Sequence, residues 1–256
     1  MLYGNIVSRS MKLTGAIYMK KMKGSGNYLK NQVRKNLAKA IACLLLFFLI
    51  SSVLSIHVLL TLSFGIFEIA GFLISLVPLA AFYYFLRKYR IYGGGWEGEK
   101  RVIKLLGSKL SDDYVLLNDM YLRGGGGDID HVILGPNGIF VLETKNWNGN
   151  ISCNGDYWQR SGKQNFKASP SLQVKRNVAT IRHILDSSQA LRRLDIYIEG
   201  IVVFTNNYAT LHLTNPTVAI VKLPQLPNQI TTIRSLGKYS QEQLETIGKE
   251  ILKQKR

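Results

Sequence analysis

The stretch Asp128-Ile129-Asp130-His131-Val132-Ile133-Leu134-Gly135-Pro136-Asn137-Gly138-Ile139-Phe140-Val141-Leu142-Glu143-Thr144-Lys145 decides how this chain is read. Two apolar runs flank the turn sequence Gly135-Pro136-Asn137-Gly138, so the simplest local fold is a tight antiparallel hairpin. If Leu134 faces Ile139, Val132 faces Val141, Asp130 faces Glu143 and Asp128 faces Lys145. The two-residue period then puts all of these on one side of the sheet, with Ile129, His131, Ile133, Phe140 and Leu142 on the other. Both faces look largely covered, and two carboxylates are expected opposite each other at a semi-buried end of the hairpin.

Like charges directly across strands are destabilising, and a buried unpaired carboxylate costs several kcal/mol or takes up a proton. A divalent cation removes both penalties. With no Cys or His cluster beside the pair, the ligation is by oxygen, which favours Mg²⁺ or Mn²⁺ over zinc. Glu99 precedes Val102, Ile103 and Leu106 at helical spacing and so lies on or beside a buried helix face, a third acid pointing inward. The bland alternative pairs Asp128 with Lys145 and leaves Asp130 and Glu143 in solvent at a sheet edge.

Working outward, the elements alternate in type. A helix is expected over 97–110 and strands over 114–117, 129–134 and 139–144, with a weaker strand at 151–153. A helix over 171–185 follows Pro170, with Leu172, Val178, Ile181 and Leu185 on its apolar side. A buried strand over 197–204, a short one over 218–221 and a closing helix over 241–252 complete the domain. Gly124 to Gly127 resembles a phosphate cradle but lacks the strand-to-helix context, so it reads as a flexible loop beside the active end. His131 points away from Asp130 and reads as a structural hydrogen-bonding residue. Trp147 and Trp158 suit base stacking or sheet-edge packing equally.

The N-terminal third is different in kind. Met1 to Lys39 holds nine Lys or Arg and no acid, so residues 1–37 are expected to form a basic flexible arm. From Ala38 to Leu86 the only acidic, basic or imidazole side chains beyond Lys39 at its very start are His57 and Glu68. That stretch is too long for one membrane span of about 20 residues, or for a signal peptide, and suits two spans with a turn near 61–65. Residues 87–95 read as a basic, glycine-rich linker and 96–256 as the soluble domain. Glu68, close to the turn, can reach headgroups and water. The chain carries 33 Lys and Arg against 16 Asp and Glu, a net +17, which favours nucleic acid or acidic lipid headgroups near the basic arm. Two distant cysteines, Cys43 and Cys153, exclude a disulfide framework and a Cys-based metal site.

These residues resemble the nuclease-related domain (NERD) family, a branch of the PD-(D/E)xK restriction-endonuclease-like superfamily. The matching pieces are Gly95-Trp96-Glu97-Gly98-Glu99, Asp128-Ile129-Asp130-His131, Gly135-Pro136-Asn137-Gly138-Ile139-Phe140-Val141, Glu143-Thr144-Lys145-Asn146, and Pro170 with Gln173. The resemblance implies an α/β fold with an αβββαβ core, here preceded by the hairpin. It implies that Asp130 and Glu143 bind Mg²⁺ or Mn²⁺, that Lys145 positions or activates the attacking water, and that Glu99 and Gln173 assist from flanking helices. One departure is Ile129, where the superfamily's name has proline.

The expected function is hydrolysis of phosphodiester bonds in nucleic acid, DNA first, at the cytoplasmic face of the cell (inner) membrane. Lys163, Lys167, Lys175, Arg176 and Arg182 could add contacts to the phosphate backbone. The rival is a non-catalytic membrane-bound adaptor that keeps the nuclease fold and binds nucleic acid or a protein. Basic residues crowd both outer ends of the hairpin, Lys30, Arg34, Lys35 and Lys39 before it and Arg87, Lys88 and Arg90 after it, so both ends are expected to face the cytoplasm. Reporters fused at the N-terminus and after Arg90 should give the same, cytoplasmic, signal; opposite signals would rule out the hairpin.

Overall fold

The computed structural model describes residues 20–22, 28–62, 64–123, 127–161, 169–233 and 238–255. It divides into two compact units, Asn27–Trp96 and a second one built from Glu97–Arg256 together with the N-terminal strand. Most of the arm expected over 1–37, the glycines Gly124 to Gly126, and Lys163 and Lys167 lie outside the described residues.

The first unit consists of α1 (Tyr28–Thr61) and the first part of α2 (Ile66–Lys109). Both helices are long and apolar enough to cross a membrane. Their large apolar side chains point outward: Leu59 is 72% exposed and Val77 67%. The core helix of a soluble protein would bury such residues. Leu62, with φ of 50°, ends α1 in the left-handed region. Glu68 then closes the turn, its Oε2 accepting the Gly65 N–H at 2.8 Å while Oε1 lies 3.5 Å from His57 Nδ1.

Two expectations for the segments beside the hairpin need correction. Residues 28–37 belong to α1, so that part of the arm is helical. Gly93 to Gly95 are no linker but turns of α2. At Gly95 an added Cβ would lie 3.5 Å from Leu29 Cδ1, an ordinary contact, and at Gly93 it would meet nothing within 4 Å, so close packing does not require glycine at either position.

The second unit is mixed α/β with two sheets. The larger has the order β1 (Lys20–Met22), β2 (Val115–Tyr121), β3 (Asp128–Gly135), β4 (Gly138–Lys145), β7 (Ile198–Phe204), β9 (Ala219–Lys222). β2, β3 and β4 run antiparallel in sequence, whereas β4, β7 and β9 are parallel. A parallel neighbour requires a long crossover. Here the β4-to-β7 crossover contains β5 (Gly149–Asn154), β6 (Tyr157–Arg160) and α3 (Pro170–Ser187).

Alternation along β3 and β4 covers both faces of the sheet. Val132, Leu134, Ile139 and Val141 pack with Val174 and Ile181 of α3 and with Leu244, Ile247 and Ile251 of α5 (Gln241–Lys253). Ile133, Phe140 and Leu142 pack with Val102, Leu106 and Leu110 from the end of α2 and with Leu226 and Ile230 of α4 (Leu226–Thr232). The Pro136–Asn137 turn is tied down from the far side, Asn137 Nδ2 donating to the Ile230 and Ile233 carbonyls.

Two apolar assignments change. Ile129 belongs to the cluster of Val132 and not to the His131 face, because alternation fails nearby: Asp119, beside it on β2, has φ of 49°. Leu172 is 54% exposed, and Val174 and Asn177 take the buried side of α3 instead.

The smaller sheet has the order β6, β5, β8 (Ala209–Thr214). Ile151, Cys153, Trp158 and Ala209 are buried on one face. The register of Ser152 with His212 and Gln159 sets Asn150, Ser152, Asn154, Tyr157, Gln159, Thr210, His212 and Thr214 on the other, and none carries a formal charge.

Gly98 governs how closely the end of α2 approaches the sheet. A Cβ there would stand 2.8 Å from Thr205 Oγ1 and 3.2 Å from Asn146 Cβ. Gly98→Leu should therefore force helix and sheet apart and destabilise the domain by about 1–3 kcal/mol, as overpacking does. Chemical denaturation of the full chain in detergent checks this; an unchanged midpoint would show that the contact is not tight.

Candidate active site

The β3–β4 ladder runs Gly135↔Gly138, Leu134↔Ile139, Ile133↔Phe140, Val132↔Val141, His131↔Leu142, and there it stops. The expected ladder pairs Asp130 with Glu143 and Asp128 with Lys145 are not made. β4 nevertheless continues as a regular strand, because its other edge stays paired with β7 through Glu143↔Val202, Thr144↔Val203 and Lys145↔Phe204. The hairpin thus opens where the acids begin. In place of a ladder bond, Asp130 Oδ2 accepts the Thr144 N–H at 2.6 Å.

Around this opening the structure gathers Asp130, Glu143, Lys145, Glu99 and Gln173. Glu143 is 1% exposed; its Oε1 lies 2.5 Å from Lys145 Nζ, while its buried Oε2 has no hydrogen-bond partner among the described residues. Lys145 Nζ also donates to Gln173 Oε1 at 3.3 Å and stands 5.6 Å from the centre of the Trp147 ring. Gln173 is placed by the first turn of α3, where Pro170 opens the helix and Ser169 Oγ accepts the Leu172 N–H at 3.3 Å.

The carboxyls disturb one another. Burial, and then the charges of Asp130, Asp119, Glu143 and Asp128, push Glu99 up to about 9. Burial followed by Glu143 raises Asp130 well above the usual range, against the opposing Thr144 N–H and Lys145. Burial raises Glu143 too, and Lys145 and Arg176 oppose it. Burial alone raises Asp128. The group therefore holds protons that carboxyls in water would have released.

Such a set fits a hard divalent cation: oxygen donors, mutual repulsion without it, and an orphaned buried oxygen on Glu143. Among the described residues no group of three His, Cys, Asp or Glu forms a ready cage. Asp130 and Glu143 are the residues that would hold such an ion, with the remaining ligands supplied from outside this pair.

The basic residues separate. Arg176 is exposed and its charge reaches Glu143; a Cβ at Gly127 would lie 4.0 Å from its Nη2. Lys175 is engaged by Asp156 at 2.8 and 3.0 Å, and Arg182 donates to the Ile196 carbonyl at 2.7 Å, so the structure gives both of them local partners. His131 is buried, its Nδ1 2.7 Å from Asn118 Oδ1. Trp158 is buried in the core and Trp147 packs edge-on against Phe204.

One residue of the cluster escapes the sequence reading. Asp119 lies in the β2–β3 register opposite Asp130, between the pairs Asn118↔His131 and Met120↔Ile129, and its charge acts on both Glu99 and Asp130. Its signal is an acid between Asn118 and Met120 in a strand that runs to Tyr121, four residues past the expected end.

The site thus sets an Asp on one strand beside a Glu-x-Lys on the next, where the two strands part. Residues 94–205 match the family model of the nuclease-related domain, NERD, which belongs to the PD-(D/E)xK-like nuclease superfamily. No curated protein and no solved structure matches the chain.

The raised Glu99 gives a signed prediction. Below about 4.5 both folded and unfolded chains keep the proton; between about 4.5 and about 9 only the folded domain does, so stability falls as pH rises through that window. Glu99→Gln removes this dependence. Its metal-free stability relative to the parent should therefore grow from pH 5 to pH 8 in denaturant titrations, and a constant difference would place Glu99 outside the buried acid group.

Proposed function

We propose that this chain is a membrane-anchored, metal-dependent nuclease that hydrolyses phosphodiester bonds, DNA first, at the cytoplasmic face of the cell membrane. The observation that carries the reading is the opening of the β3–β4 hairpin, which leaves Asp130, Glu143 and Lys145 side by side at the end of a sheet held rigid by β7. The match of residues 94–205 to the nuclease-related domain supports it, and the helix–three strands–helix–strand order of α2, β2, β3, β4, α3 and β7 suits a restriction-endonuclease-like core.

Asp130 and Glu143 would hold Mg²⁺ or Mn²⁺, which when bound supplies Lewis acidity toward the phosphodiester. The protein's own groups do the positioning. Thr144 N–H holds one oxygen of Asp130 in place. Gln173 and Glu143 fix the Lys145 ammonium from two sides, so that it meets developing negative charge without reorganising. Glu99, whose carboxyl burial raises in the metal-free domain, stands beside these groups and can assist them from the flanking helix. Exposed Arg176 is the basic side chain best placed to touch the backbone of the nucleic acid. The two apolar helices support anchoring, and the basic residues at their outer ends support the cytoplasmic side.

Lys145→Met separates cleavage from binding. In the full chain in detergent, with Mg²⁺, Mn²⁺ or EDTA and both DNA and RNA substrates, cleavage should need the metal. The variant should lose about 10²- to 10³-fold in rate, the usual cost of one preorganised stabilising group. Metal affinity should hold, since a protonated lysine has no lone pair to give, and nucleic-acid affinity should fall only slightly. A folded parent chain that binds Mn²⁺ and nucleic acid but cuts none of the substrates would instead establish a binding adaptor.

A further inference from the structure

The outer surface of α2, across the end of its apolar run, carries a groove of about 430 Å³ lined by Tyr83, Leu86, Arg87, Arg90 and Ile91. The spacing of these five residues makes one stripe along a single helix face. α1 lies on another side of α2: Lys39 stands over the Phe85 ring at 5.3 Å, and at about 100° per residue Phe85 is roughly opposite the stripe. The groove therefore faces away from the partner helix.

Its depth follows from helix geometry. The apolar run from Ile66 to Leu86 is 21 residues, about 31 Å of helix at 1.5 Å per residue, which matches a hydrocarbon core of about 30 Å. Arg87 thus falls where hydrocarbon gives way to headgroups, with Arg90 one turn further out. Lys88 is spoken for, 4.6 Å from the Tyr84 ring, whereas Arg87 and Arg90 are exposed and have no hydrogen-bond or ion-pair partner among the described residues. Within Asn27–Trp96 the only acid is Glu68, at the opposite end of the hairpin. Two uncompensated guanidiniums therefore border an apolar groove that opens toward lipid.

We propose that this stripe binds an anionic phospholipid, its phosphate held by Arg87 and Arg90 and the upper part of its acyl chains lying along Tyr83, Leu86 and Ile91. Guanidinium groups bind phosphate in a bidentate manner, and a lipid with net negative charge answers the local excess of cations. The site rests on the reading of α1 and α2 as membrane spans.

The test uses the full chain. Native mass spectrometry from detergent micelles, with phosphatidylglycerol and phosphatidylcholine of the same acyl chains in equal amounts, should show retained lipid strongly enriched in the anionic species. R87Q/R90Q should reduce that enrichment by about tenfold. K30Q/K35Q, which removes the same charge from α1, should leave it nearly intact. R87K/R90K, which keeps the charge but loses the planar fork, should fall between. Equal enrichment in the parent and R87Q/R90Q would overturn the site, as would an equal loss in K30Q/K35Q. Carbonate extraction from phosphatidylcholine vesicles keeps the two readings apart: release of the parent chain would overturn the anchor and the site together, whereas retention with unchanged lipid selectivity would overturn the site alone.

Discussion

The chemistry of this protein depends on one strand serving two ladders. β4 is paired on one edge with β3 and on the other with β7, so it can lose the first partner at Glu143 and remain a straight strand. Without β7, the repulsion between Asp130 and Glu143 would be relieved by fraying both strands into water. With β7 in place, β4 holds Glu143 at 1% exposure while β3 turns aside. The Asp130 carboxylate then takes the Thr144 N–H, replacing a backbone acceptor with a side-chain one. The open end is thus a product of the sheet's order, and the parallel half of the sheet is as necessary to the site as the acids themselves.

That dependence explains which parts of the architecture are legible from sequence. The turn at Pro136–Asn137 and the alternation on either side of it fix the hairpin register as far as Val132 and Val141, and the structure follows it residue by residue. The inward place of Glu99 follows from helical spacing, and that of Gln173 beside the acids from the family resemblance alone. The parting of the strands does not, because it is set by β7, some sixty residues further along the chain. Nor does the broken alternation at Asp119, since a positive φ in a non-glycine residue leaves no trace in composition. β8 is a different case: Ala209, Leu211 and Leu213 alternate with Thr210, His212 and Thr214 at the strand period, a signal present but short. The glycines at 93–95 mislead in the opposite direction, a turn signature that lies inside a continuous helix.

The basic residues teach a related lesson. Spacing along α3 groups Lys175, Arg176 and Arg182 as equivalent surface cations, but tertiary contacts assign them separate work. Lys175 joins α3 to the β5–β6 turn through Asp156, Arg182 fastens the chain entering β7 through the Ile196 carbonyl, and Arg176 alone stays open beside the acids. Net charge identifies a class of partner, whereas the fold decides which cations are free to meet it.

The solvent face of the smaller sheet shows the same principle from the other direction. Its eight side chains contribute no formal charge in a molecule of net +17, so none of the attraction toward a polyanion originates in them. A polyanion diffusing toward the protein gains nothing from these side chains, and the charges that can bias its early encounters lie on other surfaces. By contributing nothing to attraction, this sheet leaves the direction of approach to the charged surfaces, whose influence is felt in arrival rate and its dependence on ionic strength.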